Sequence, residues 1–336
     1  MKRIFPLFLA LAMAVSLLAG CGIKNAAESG ESESDKLCVV ATIFPGYDWV
    51  HQIMGDRAAA ADLTMLLDNG VDLHSYQPTT DDIIKVFDCD LFIYVGGESD
   101  GWVENALKTA ANKDIKVVSL LEVLGERVKT EEIVEGMQDA DHAHAHDHEH
   151  EHDHDHGEEK DEHVWLSLKN AQTLCVTIAD ALCAIDPDSK NTYIANAAAY
   201  RDKLAALDAD YKAAVDGAAH KTVLFGDRFP FRYLVDDYGL RYYAAFAGCS
   251  AETEASFETV SFLAKKVDAL GLPCVLTIEG AQHRIAETIV QNTAGKNQKV
   301  LTMDSMQSTT SKDVANGATY LSVMEKNLSV LKEALG

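Results

Sequence analysis

Several side chains able to hold a cation stand at the ends of short apolar runs. His74 follows the run 62–67, Asp304 ends the run 299–303, and Glu279 and His283 follow the run 274–278. His163 ends an acidic loop that closes the first half of the chain. Neutral imidazoles with a carboxylate suit a borderline ion such as zinc, whereas manganese prefers more oxygen ligands. Taken singly, each residue has a simpler reading, because a lone histidine is more often a surface or hydrogen-bonded group. A metal site exists only if the fold gathers them, and open α/β sheets collect ligands beyond the carboxyl ends of their strands.

The pattern of elements supplies such sheets. Runs 38–44, 62–67, 91–95 and 115–120 read as strands, with helical patterns at 47–54, from Pro78 onward and at 102–111. A second alternating set follows, with strands at 222–225, 241–247, 274–278 and 299–303 and helices at 231–238, 257–270, 281–293 and 320–335. Strands alternating with helices imply parallel sheets with crossover helices. Between the sets, Tyr193, Ala197, Tyr200, Leu204, Leu207, Tyr211 and Ala214 recur at spacings of three and four. That stripe predicts a helical rod of roughly 40 Å, long enough to bridge two lobes. The expected fold is α/β: two lobes, each a parallel-type sheet with flanking helices, joined by one long rigid helix, with a metal cleft between the lobes.

From Asp139 to Glu162 the periodicity stops. Eight histidines, alternating from His142 to His156, lie among Asp, Glu and Ala with no apolar face. Such a tract cannot build a core and reads as a solvated loop that could collect zinc weakly. It contains HExxH twice, at His148–His152 and His150–His154, but the protease motif needs an apolar helix to hold it. Gly96-Gly97 likewise lacks the spacing of a nucleotide-binding loop.

Formal charge is −24, from 53 acidic against 29 basic residues, which argues against nucleic-acid binding and favours the approach of cations. Lys2 and Arg3, an apolar run from Ile4 to Leu18 and small residues before Cys21 form an export signal too short to span a membrane comfortably. Of seven cysteines, Cys38, Cys89, Cys175, Cys183, Cys249 and Cys274 lie beyond Cys21, and no CxxC pair occurs. They read as mostly reduced, buried thiols. The expected boundaries are a signal peptide at 1–20, a tether at 21–36, and a first lobe at 37–165 with its His/Asp/Glu-rich loop at 139–162. Linker helices at 166–218 and a second lobe at 219–336 complete the chain.

Two stretches resemble known families. Leu18-Ala19-Gly20-Cys21 resembles a bacterial lipobox, which implies diacylation of Cys21 and anchoring in membrane lipid. The segment from Phe44 to Trp102 resembles the zinc/manganese solute-binding proteins of ABC importers. Gly70, His74, Tyr76 and Pro78 match that family's Gly-x-x-x-His-x-Tyr-x-Pro segment, and His163 matches a histidine before Val-Trp-Leu. Asp304 matches an aspartate after the last strand, and the acidic histidine tract is typical of the zinc branch.

The resemblance covers nearly all of the mature chain and implies His74, His163 and Asp304 as metal ligands. It also exposes a departure. The family's third ligand, His or Glu, falls at Arg228, whose guanidinium stays protonated and cannot ligate a cation. Asp227, Glu254 or His283 is left to complete the set. His283 is preferred, since three nitrogens and one oxygen make a tetrahedral zinc shell. Arg228 would then pair with Glu254 or Glu279. The implied function is a non-catalytic, monomeric zinc receptor at the outer face of the cytoplasmic membrane or in the periplasm, serving an ABC permease and its ATPase. The rivals are a manganese receptor of the same fold, a surface zinc buffer or adhesin, and a zinc hydrolase with Glu279 as base.

Overall fold

The computed structural model describes residues 36–110, 112–138, 159–250, 254–280 and 283–336. The signal region, Cys21 and the histidine tract lie outside the described residues. The first sheet is built from β1 (Cys38–Ala41), α1 (Phe44–Met54), β2 (Asp62–Met65), α2 (Thr80–Asp88), β3 (Leu91–Tyr94), α3 (Val103–Thr109), β4 (Lys116–Ser119) and α4 (Leu120–Leu124). Two helices follow, α5 (Leu168–Ile185) and α6 (Lys190–Gly217). The second sheet comprises β5 (Thr222–Phe229), α7 (Arg232–Tyr238), β6 (Arg241–Ala247), α8 (Phe257–Leu270), β7 (Cys274–Ile278), α9 (Arg284–Asn292) and β8 (Lys299–Met303). The chain then runs through α10 (Ser311–Ala315) and α11 (Tyr320–Leu335).

Both sheets are four-stranded and parallel, in the orders β2-β1-β3-β4 and β6-β5-β7-β8. A parallel pair needs a crossover, and a helix between successive strands provides it. Each sheet therefore gathers all its carboxyl ends along one edge. Local chemistry sets the helix starts. α1 begins at Phe44, earlier than the apolar pattern suggests, because Pro45 sits in its first turn, where a missing N–H costs nothing. Thr79 caps α2 in a reciprocal box with Asp82.

The rod is α6, 28 residues long. Its buried face is Tyr193, Ala197, Tyr200, Leu204, Leu207, Tyr211 and Val215, so the stripe continues to Val215 where the sequence pattern suggests Ala214. It is tied at both ends: Asn196 Nδ2 donates to the Ile53 carbonyl at 3.0 Å, and Tyr211 OH donates to the Met324 carbonyl at 2.7 Å. One apolar core runs through both sheets, including Val40, Phe92, Trp165, Tyr200, Phe225 and Leu276. Trp165 joins the two halves, its Nε1 donating to the Ser305 carbonyl at 2.8 Å while its own carbonyl accepts from Tyr320 OH at 2.7 Å. Each such fully buried large side chain contributes about 1.5–3 kcal/mol, so wide opening about α6 would forfeit several of them. No helix among the described residues is long and apolar enough to cross a membrane.

Candidate metal centre

His74 lies in the loop beyond β2. A one-turn 3-10 helix, Leu73–Ser75, is capped by Asp72, whose Oδ1 accepts the His74 N–H at 3.0 Å, while Leu73 anchors the turn in the core. His163 enters from the other side, just before a second such turn in which Val164, Trp165 and Leu166 are all buried. Its backbone N–H donates to Asp161 Oδ1 at 2.9 Å. In both cases a buried apolar residue fixes the turn and an aspartate two residues upstream fixes the histidine backbone.

The two imidazoles face one another, His74 Nε2 lying 3.1 Å from His163 Nε2. The other nitrogen of each ring is engaged. His163 Nδ1 is 2.9 Å from Asp161 Oδ1, and a carboxylate only accepts, so Nδ1 carries the proton and Nε2 the lone pair. His74 Nδ1 is 2.9 Å from Ser99 Oγ and 3.6 Å from Glu162 Oε2. Ser99 Oγ can donate or accept, so His74 can give an Nε2 proton to His163 Nε2 when no ion is bound, or shift the proton to Nδ1 and turn its Nε2 lone pair to a cation held between the rings. The edge of a tetrahedron with zinc–nitrogen bonds of 2.0–2.1 Å is roughly 3.3 Å, close to the spacing found.

A third donor completes the group: ligand atoms of His74, His163 and Cys249 all lie within 4.8 Å of one another. Cys249 follows β6, and its backbone N–H donates to Glu131 Oε1 at 2.8 Å. Gly248 makes the approach possible. A Cβ there would stand 2.9 Å from the Phe229 carbonyl and 3.0 Å from His163 Cε1.

Charge around the group is negative. Burial, then the neighbouring His163 and Arg228, holds His74 neutral down to about 3, with Asp72 opposing. Burial is the largest single influence on His163 and lowers it, but Asp161, Glu131 and Asp72 together outweigh it and the group is raised. Burial pushes the Cys249 thiol up, as do Glu131, Asp161 and Glu162, so the thiolate needs a cation beside it. Glu162 is buried and Oε2 has no hydrogen-bond partner, which is costly for an anion unless a positive charge is near. A cavity of about 300 Å³ opens from His74 and Cys249 past Glu98, Glu159 and Glu162. Glu159 adjoins the histidine tract in sequence.

The other residues singled out in the sequence lie elsewhere. His283 Nδ1 is 3.2 Å from Thr277 Oγ1, and His283 lines a separate cavity of about 730 Å³ together with Glu254. Asp227 is occupied by Thr277 Oγ1 at 2.6 Å and by the Arg228 N–H at 2.9 Å. Asp304 does not join the histidine pair: Asn327 holds its backbone from both sides, and its Oδ1 accepts the Met306 N–H at 2.8 Å. Glu279 is bound to Ser305 and lines a further cavity beside Asp304. Arg228 pairs neither with Glu254 nor with Glu279. Its Nη2 reaches Asp72 Oδ2 at 2.7 Å, tying it to the residue that caps the turn of His74. Cys249 stands outside the set that the sequence pattern points to.

A family model described as zinc-uptake complex component A, periplasmic, matches residues 39–334. The chain belongs to the zinc-uptake component A family. Among other members, the zinc-binding lipoprotein AdcA of Streptococcus pneumoniae is 32% identical over 322 residues, covering 95% of this chain and 60% of its own. The chain thus spans about 60% of the length of the first curated relatives it matches. The high-affinity zinc uptake system protein ZnuA of Bacillus subtilis is 30% identical, covering 95% of this chain and 94% of its own. The Zn(II)-bound ZnuA-like domain of Streptococcus pneumoniae AdcA superposes with a TM-score of 0.68 at 30% identity, covering 89% of this chain and 99% of that one. This zinc-uptake component A chain has the family fold of two parallel sheets joined by a long helix.

Proposed function

We propose that the protein is an extracytoplasmic zinc receptor of an ABC importer, which captures Zn2+ at His74 and His163 and passes it to a membrane permease. The observation that carries this is the pair of Nε2 atoms 3.1 Å apart, each ring held by its other nitrogen. The names of its relatives, a zinc-binding lipoprotein and a high-affinity zinc uptake protein, support the choice of cargo. Diacylation at Cys21 would keep it at the outer face of the membrane, and the permease and its ATPase would be separate subunits. Two imidazoles and a sulfur favour zinc over manganese. A hydrolase would need a general base beside the metal, and Glu279 is held by Ser305 instead.

The chain welded through Trp165 and α6 suits cargo exchange by loop movement more than by wide hinge opening. Mass-spectrometric metal analysis of protein purified without added metal tests the reading. One tightly held zinc per chain is expected to survive exhaustive dialysis, and to be lost in His74→Ala. A chain carrying manganese, or carrying zinc that survives His74→Ala and His163→Ala, would sink it.

A further inference from the structure

We infer that Cys249 is a zinc ligand, as a thiolate, and that it takes over the role of the family's third ligand, which Arg228 cannot fill. The inference rests on the zinc-receptor reading and goes beyond it by naming the donor set and the metals it selects.

Three independent observations meet here. The donor atoms of His74, His163 and Cys249 lie within 4.8 Å of one another, and no other trio of histidine, cysteine or carboxylate residues among the described residues does so. The expected third position, Arg228, is spent on Asp72 Oδ2 at 2.7 Å. Next to it in the sheet, β6 pairs with β5 in the register Arg228↔Phe246 and Phe229↔Ala247. Cys249 is thus two residues beyond the strand that flanks Arg228. The donor has moved one strand across, along the same carboxyl edge of the sheet.

The surroundings are built for it. Gly248 lets the loop press against the His163 ring. Glu131 holds the Cys249 backbone, and the buried Glu162 Oε2, which has no hydrogen-bond partner, lies 3.6 Å from His74 Nδ1. Arg228 also has a function in this arrangement. Its guanidinium joins Asp72, which caps the turn of His74, to the Ser250 carbonyl at 3.5 Å, next to Cys249. The arginine therefore positions two ligand loops instead of contributing a ligand.

On binding, a zinc–sulfur bond forms as the Cys249 S–H bond breaks, and the proton leaves to the buffer. Nothing is oxidised or reduced. A thiolate among two imidazoles selects zinc, cadmium and cobalt over manganese and magnesium, which prefer oxygen.

The test is the absorption spectrum of the full chain titrated with Co2+. The wild type should show thiolate-to-cobalt charge transfer in the near ultraviolet with a tetrahedral visible spectrum. Cys249→Ser should abolish the charge-transfer band and weaken binding at least about tenfold, while the histidines still take up some cobalt. A second measurement needs no variant: zinc should protect Cys249 from alkylation in peptide mapping and leave Cys183 unprotected. Tight binding with no charge-transfer band, or a band that survives Cys249→Ser, would overturn Cys249 as ligand and leave the receptor reading standing. Failure of the wild type to bind zinc or cobalt at all would overturn both.

Discussion

Replacing Asp161 by Asn separates the charge behind His163 from everything else the residue does. Asp161 Oδ1 accepts two hydrogen bonds from His163, one from its backbone N–H and one from Nδ1, both at 2.9 Å. An amide oxygen at the same place can keep both, so the turn survives. What is lost is the negative charge that makes the imidazole a stronger donor to a metal. Hydrogen bonds to charged groups contribute about 1.5–3 kcal/mol against about 0.5–1.5 for neutral ones, a difference of roughly 1–1.5 kcal/mol. Converted to affinity, that is about tenfold, at the lower end of the tenfold to hundredfold seen when the partner of a ligating histidine is removed. Isothermal titration of zinc against a competing chelator at neutral pH measures it, with thermal unfolding of the metal-free protein as the control. Unchanged affinity in a normally folded variant would mean that His163 does not bind the metal through Nε2.

Other changes probe the support of the site. In Gly248→Ala, the new methyl collides with the Phe229 carbonyl and the His163 ring, so stability should fall by about 1–3 kcal/mol and zinc affinity with it; a variant with wild-type melting and affinity would refute the close approach. Asp100 is buried beside Glu162 and raised to about 7, chiefly by burial. Because the folded value lies above the unfolded one, its contribution is favourable below about pH 4 and is lost as pH rises to about 7. Asp100→Asn should therefore be more stable than the wild type by a few kcal/mol above neutrality, the gap closing in acid; a gap independent of pH in chelator-treated protein would contradict this. Deleting residues 141–156 leaves the bridge between Thr130 and Lys160 untouched. It should lower the number of zinc ions bound per chain but retain one tight site, and loss of tight binding would put the principal site in the histidine tract.

Much of this was legible in the residues, because period and position are local properties. The stripe from Tyr193 to Tyr211 follows from helical geometry alone, and the alternation of apolar runs with helices implies two parallel sheets. Which strand ends meet is not local. His283 and Asp304 stand after strands as His74 does, yet His283 turns to Thr277 and Asp304 is pinned by Asn327. Their separation from His163 depends on loop paths across the sheet edge, which no spacing in the sequence encodes. Cys249 was hidden for a related reason. A lone cysteine after an apolar strand looks like a small core residue, and only its approach to two imidazoles distinguishes it. Arg228 reads as an incapable ligand in the sequence and becomes intelligible once Asp72 is seen across from it.

Anomalous X-ray scattering at the zinc edge, from crystals of the zinc-loaded protein, tests the central claim most directly. The account predicts one strong peak between the two rings, about 2.0–2.1 Å from His74 Nε2 and from His163 Nε2. A peak beside Asp304 and Glu279, with none between the imidazoles, would contradict it.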